Sequence, residues 1–316
     1  MDTLFKYMPL RPEFFEDPLF RLTQPNKLND PFDSKPTREA IRKKIAFLTD
    51  TEGEGAGYVS DETIDSKHSF WRDELSNKLN EFGVISLTEN VNNLLMWSHY
   101  ANEHNGIVVE LVNDDDVFMF SDRGIKDSRV GSKRALRVRY DSKRPGVNIP
   151  DNCIYSYYED EFYRHVALTK SDDWMYEKEH RFLIPANEAD VAVLRLNRSK
   201  QINLDEFEKY LHFRKITFSR GEEHYRFENT GLNQFITNTD MVRLDPQINA
   251  YGEVMLFKRA KPQAIKAIYF GCRVPKDIIE SVITQCRQNM RFSTCLSFYQ
   301  AVESRDRFEV DFAYVR

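Results

Sequence analysis

An α+β fold, with a mostly antiparallel central sheet flanked by helices, is predicted by three observations. Apolar runs of strand length recur along the chain: VISLT (84–88), GIVVEL (106–111), LRVRY (136–140), HRFLIP (180–185), VAVLRL (191–196) and AIKAIYFG (264–271). Helical patterns fall between some of them, yet few strand–helix–strand units have the regular length that a doubly wound sheet needs. The composition, 41% hydrophobic and 30% charged over 316 residues, is that of a globular chain with a substantial core.

Taken in order, LFKYMPL opens the chain as a short strand. PNKLNDPFDSKP follows as a fixed turn, because Pro25, Pro31 and Pro36 with Asn29 and Asp30 forbid regular structure. Phe32 is expected to anchor that turn, whose Asn29, Asp30 and Asp33 could also meet a ligand. Helical spacing predicts helices over 38–48 and 62–82, the second stopped by Gly83. Between them DTEGEGAGYVSD reads as a mobile loop, and no GK[ST] follows its glycines to make a phosphate cradle. A helix carrying Trp97 and Tyr100 comes next, capped by Asn90 or Asn92 and ended by Gly106. Further helices are expected at 153–168, 203–213 and 275–289, with Pro275 suited to a first turn. The chain reads as one domain, 1–316, with an inserted or accessory segment at 197–262, whose stretch from 214 on is too polar to assign.

Composition also bounds function. The net charge of −5 comes from 45 basic and 50 acidic side chains that are well mixed. With no long basic run, bulk attraction to nucleic acid is not indicated. Cys153, Cys272, Cys286 and Cys295 lack CxxC spacing, and a reduced, cytoplasmic setting is the plainer expectation. No segment reaches the roughly 18 apolar residues of a membrane span, and the first residues are too briefly apolar for a signal peptide.

Two stretches carry chemistry. In GVISLTENVNNLLMWSHYANEHNGIVVEL (83–111), Trp97, Tyr100 and His104 share a helical face at 100° per residue, while His99 projects oppositely. They read either as ordinary core aromatics with surface histidines or as the wall of a pocket, where Trp and Tyr faces stack a base or a nicotinamide-like ring. In TKSDDWMYEKEHRFLI (169–184), a strand over 176–184 would place Glu177, Glu179 and Arg181 on one face, the two carboxylates about 7 Å apart at the backbone. One carboxyl could then keep a raised pKa while Arg181 holds its neighbour ionised. Such a pair suits stabilising an oxocarbenium ion or binding a divalent metal; a solvated Glu/Arg face is the plain alternative.

At these residues the chain resembles the bacterial family known as domain of unknown function 2971. LFKYMPL, LNDPFD (28–33), ISLTEN, LLMWSHYANEHNGIVVEL with its specific WSHYANEHNG core, KSDDWMYEKEHRFLI and IYFGC (268–272) occur in the family's order, from residue 4 to about residue 300. The resemblance implies a relative of abortive-infection proteins: a phage-defence effector or toxin, with a partner protein from a neighbouring gene. A more distant likeness is to ADP-ribosyltransferase folds, which use a basic or aromatic residue on the first strand, a Ser/Thr strand start and a late ExE strand. That likeness implies NAD as substrate and a protein or nucleic-acid acceptor. Lys6 or Tyr7 would contact the NAD phosphates or ribose, Ser86 and Thr88 would support the nicotinamide pocket, and Trp97 or Tyr100 would stack on the ring. Glu179 would stabilise the ribosyl cation and Glu177 would orient the acceptor, with Arg181, His99 and His104 beside them. The chain departs from that pattern in carrying Lys-Tyr where those folds carry Arg or His, and in running its ExE on into His-Arg. A non-catalytic nucleotide-sensing module, and a metal-assisted nuclease using Glu177, Glu179 and His104 or His99, are the competing expectations.

Overall fold

A computed structural model of the protein describes residues 2–39, 41, 62, 70, 73–74, 76–115, 117–120, 130–145, 155–197, 203–229, 238–292 and 294–316. The glycine-rich loop at 50–61 and most of the helices expected at 38–48 and 62–82 lie outside the described residues. The strands are β1 (Thr3–Met8), β2 (Leu19–Leu22), β3 (Phe82–Thr88), β4 (Ile107–Val112), β5 (Leu136–Arg137), β6 (Arg139–Asp141), β7 (Thr169–Ser171) and β8 (Glu179–Pro185). They continue as β9 (Val191–Leu196), β10 (Ser219–Arg220), β11 (His224–Glu228), β12 (Gly252–Arg259), β13 (Ile265–Phe270), β14 (Ser297–Glu303) and β15 (Val310–Tyr314). The described helices are α1 (Pro12–Glu16), α2 (Leu94–Tyr100), α3 (Tyr155–Ala167), α4 (Leu204–Phe213), α5 (Asn238–Leu244), α6 (Pro246–Asn249) and α7 (Lys276–Gln288).

The architecture is α+β. An eight-stranded sheet runs in the order β15-β14-β13-β4-β1-β3-β8-β5, and a five-stranded one in the order β10-β11-β9-β12-β2. Within these two sheets the pairs are antiparallel except β13–β14, whose connection is α7; the small β6–β7 pair is also parallel. Sequence-distant strands meet because their side chains alternate. On β11, Tyr225 and Phe227 are buried while His224 and Glu228 stay in water. The polar stretch 214–262 thus supplies β10 to β12, which join β2 and β9 in the second sheet.

One face of the large sheet, with Leu4, Ile85, Leu87, Val109, Phe182 and Ile268, shares a continuous core with the five-stranded sheet, α4 and α7. On the other face, pairing places Phe5 opposite Thr88, Ser86 opposite Arg181, and Thr88 opposite Glu179. Two covers protect that face. Met96, Trp97 and Ala101 of the α2 segment pack on Tyr7 and Val108, and Phe162, Tyr163 and Val166 of α3 pack on Val84 and Leu183. Between the covers lie Ser86, Thr88, Glu179 and Arg181.

Several local expectations are corrected. LRVRY forms two short strands, because the Val138 amide still bonds the Glu179 carbonyl in register with the β5–β8 pair, whereas from Arg139 on the chain pairs with β7. Phe82 and Gly83, expected as the end of a helix, are the first residues of β3. Pro275 stands at the N-cap of α7, just before its first turn. Phe32 anchors nothing: it is 62% exposed, and the LNDPFD turn is held by its buried Asp30 and Asp33 instead.

Candidate functional site

The ribbon WMYEKEHR is not one strand. Residues Asp172–Glu177 wind as a 3-10 turn capped by Ser171, and Lys178 takes a left-handed conformation (φ 44) before β8 begins at Glu179. The expected face survives this correction by another route. The left-handed residue swings Glu177 round so that its carboxylate and that of Glu179 both accept from one ammonium, Lys170 Nζ, at 2.6 and 3.0 Å.

Lys170 reaches this point from β7, the short TKS strand just before the 3-10 turn. Arg181 closes the other side. Its Nε and Nη2 donate to the Glu179 carboxylate at 2.8 and 3.0 Å, and its remaining donors meet the Asp33 carboxylate and the Ala167 carbonyl. All five guanidinium N–H groups are therefore used, on a side chain with no exposed surface. Tyr100 of α2 donates to the second oxygen of Glu177 at 2.6 Å. An unbroken polar chain results: Asp33, Arg181, Glu179, Lys170, Glu177, Tyr100. Glu177 and Glu179 are each only 3% exposed.

The electrostatics follow from this pairing. Burial alone would push the Glu179 carboxyl up, but Arg181 and Lys170, with a hydrogen bond from Ser86, hold it well below the usual carboxylate range. Burial would lower Lys170, and Glu179 and Glu177 more than reverse that. Tyr100 and Tyr140 are pushed up, chiefly by burial, Tyr140 to about 12; the Tyr140 hydroxyl accepts the Glu179 amide at 2.7 Å. Lys6 behaves differently. Its ammonium bonds the Ser86 carbonyl at 2.9 Å rather than a carboxylate, and burial draws it down to about 8. Among the described residues, three carboxylates thus face two directly paired cations, and the Lys6 ammonium is near enough to Glu179 and Glu177 to feel both.

The other expected residues are distributed as follows. Thr88 is buried, donating to the Glu177 carbonyl at 2.5 Å and accepting from the Asn90 amide, so it pins the acidic turn. Tyr7 donates to the Asn90 carbonyl and packs edge-on against Trp97. Trp97 has no exposed surface, and its indole N–H donates to the Val91 carbonyl, so ring stacking on a ligand falls to half-buried Tyr100. His99 is exposed, edge-on to Tyr100.

α2 is shorter than expected. Asn93, not Asn90 or Asn92, caps its start, and it ends at Tyr100, well before Gly106. Asn102, Glu103 and His104 then run left-handed, with φ of 47, 51 and 67. This turn still stacks His104 on Trp97, ring planes 8° apart. The His104 carbonyl accepts the Arg273 amide, and the Gly106 carbonyl accepts that of Gly271. Among the described residues, no hydrogen bond or ring contact joins His104 to the carboxylates. The WSHYANEHNG motif therefore docks α2 against the end of β13, and Tyr100 alone carries it to the acidic turn. No group of three or more His, Cys, Asp or Glu side chains is placed to hold a metal ion among the described residues, nor is any described helix long and apolar enough to cross a membrane.

Residues 96–182 match the family model described as Protein of unknown function (DUF2971). The match covers 87 of the 316 residues. The DUF2971 segment supplies Tyr100, Tyr140, Lys170, Glu177, Glu179 and Arg181, whereas Lys6, Asp33, Ser86 and Thr88 reach the cluster from outside it. No curated protein and no solved structure matches the chain.

Proposed function

We propose that the chain is an NAD-consuming, ADP-ribosyltransferase-like enzyme whose site is the cluster between α2 and α3. The observation that carries this reading is strand order: β1, β3 and β8 are consecutive in one sheet, so Lys6, Ser86 and Glu179, some 170 residues apart in sequence, meet within a hydrogen bond or two of each other. That is the juxtaposition that the sequence likeness requires. The two adjacent carboxylates suit a ligand bearing a cationic ring and a transition state with positive charge at the ribose.

In this reading the Lys6 ammonium, still mostly charged at pH 7, meets the pyrophosphate, and the open face of Tyr100 lies against the nicotinamide. The bond from C1′ to the pyridinium nitrogen breaks with its electron pair going to nicotinamide. The fixed Glu179 carboxylate stabilises the ribosyl cation. A nucleophile of a macromolecular acceptor then adds to C1′ and gives up its proton. Labelled NAD incubated with the protein and a cell lysate tests this: label transfer or free nicotinamide is expected from the parent, and neither from Glu179→Gln. Identical behaviour of the two, with no product, removes the reading.

A second reading is favoured by a specific observation. Each carboxylate oxygen of Glu177 and Glu179 already has a partner, which suits a rigid nucleotide-binding module as well as an enzyme. Saturating NAD would then raise the melting temperature without being consumed. The phage-defence or toxin role belongs to the family resemblance, and its test is growth: expression of the parent arrests bacterial cells, and expression of Glu179→Gln does not.

A further inference from the structure

Lys170 was not among the residues that the sequence pointed to, yet among the described residues it is the group that touches both carboxylates. Its Nζ lies 2.6 Å from Glu177 and 3.0 Å from Glu179, with side-chain exposures of 7% for the lysine and 4% for each acid. Two oxygens sharing one ammonium stand within about 6 Å of each other, the span of two hydrogen bonds. Two like charges so close and so dry do not both ionise unless a cation lies between them. Arg181 cannot serve Glu177, because its five donors are taken by Glu179, Asp33 and Ala167. Among the described residues, the other groups near the pair are neutral or bonded elsewhere, His180 of β8 being turned to Glu89. Tyr100 from α2 and Tyr140 from β6 offer hydroxyls, Tyr176 lies in the turn itself, and Lys6 from β1 spends its bond on the Ser86 carbonyl. The indole of Trp174, 5.0 Å from the ammonium, shields the remaining side of Lys170.

We infer that Lys170 is a positioning residue that keeps Glu177 and Glu179 ionised together, so that the site meets its ligand with both carboxylates charged. Without it the two acids share one proton across neutral pH. The consequence for catalysis rests on the reading of the site as an NAD-consuming one; the consequence for protonation does not.

Urea denaturation at pH 5 and pH 8 tests the protonation directly, on the full chain without ligand. In the parent, Glu179 is depressed, so its stabilising contribution is present above the ordinary carboxylate pKa and is lost as pH falls. In Lys170→Met one carboxyl of the pair is raised, so stability is present while it is protonated and is lost as pH rises through the new pKa. The expected result is a variant whose unfolding constant, relative to the parent, grows by at least about tenfold from pH 5 to pH 8, one pKa unit or more of linkage. Adding Glu177→Gln removes the second charge, so Lys170→Met/Glu177→Gln should be more stable at pH 8 than Lys170→Met alone and should lose the extra pH dependence. A Lys170→Met protein destabilised equally at both pH values, and not rescued by Glu177→Gln, would mean that the lysine merely fills space. In a second arm, nicotinamide release by Lys170→Met should lose kcat above pH 6 more than it raises KM, with Lys170→Arg restoring part of it. If the parent itself releases no nicotinamide, the proposed reaction fails while the denaturation arm still decides the role of Lys170.

Discussion

Arg181→Met is the sharpest perturbation the interior offers. The guanidinium is buried without exposed surface and bonds two carboxylates and a carbonyl. Removing it keeps a chain of similar volume but takes from Asp33 its guanidinium partner and from Glu179 one of its two directly bonded cations, and leaves the Ala167 carbonyl without its donor. Breaking a buried ion pair by deleting one partner costs about 3–5 kcal/mol, set against a total stability of about 5–15 kcal/mol for a domain. A fifth or more of the stability at pH 7 should therefore go. Asp33→Asn is milder, about 1–3 kcal/mol, because Glu179 still pairs with the arginine and the amide oxygen can still accept. Urea denaturation followed by circular dichroism measures both. The variant should also regain stability as pH falls from 7 to 5, since the stranded carboxylates have raised pKa values and are relieved by protonation, a trend opposite to that of the parent. An Arg181→Met protein within about 1 kcal/mol of the parent, with unchanged pH dependence, would refute the reasoning, because the network would then contribute nothing net.

Further outcomes are expected. Tyr100→Phe removes the hydroxyl that caps Glu177 at 2.6 Å; a loss of about 1–3 kcal/mol in denaturation midpoint experiments checks it. Lys6, drawn down to about 8, should acylate with a half-point near that pH in competitive amine labelling, well below exposed lysines. Because burial depresses this lysine, its destabilising effect is present below pH 8 and is relieved as pH rises towards the unfolded value. Gly271→Ala would drive its Cβ into the His104 carbonyl, and a melting experiment should show a loss of about 3 kcal/mol or more, since backbone cannot give way as a side chain can.

Much of the fold was legible because strand periodicity is local. VAVLRL is β9 to the residue, and NLDEFEKYLHF is α4 with Asn203 as its cap. β14 and β15 escaped notice because edge-ward strands bury few side chains: Glu303, Asp311 and Tyr314 remain in water, so SFYQAVE and VDFAY show little contrast. Glu177, Glu179 and Arg181 were readable as a group from spacing, though Lys178 reaches that grouping through a left-handed turn that no spacing rule foresees. Their partners were not readable. Asp33 lies 148 residues from Arg181, and Lys170 was hidden in a short polar run. Pairing between distant charged residues leaves no periodic trace. Trp97 and His104 were expected on one helical face; the helix ends at Tyr100, and it is the left-handed turn after it that stacks the two rings and docks on the end of β13.

Calorimetric titration of NAD into the parent, Lys6→Gln and Tyr100→Ala bears most directly on whether the polar cluster between α2 and α3 is a nucleotide site. Saturable binding to the parent is expected, weakened at least about tenfold, or 1.4 kcal/mol, by either substitution. No heat with the parent, or the same dissociation constant for all three proteins, would contradict it.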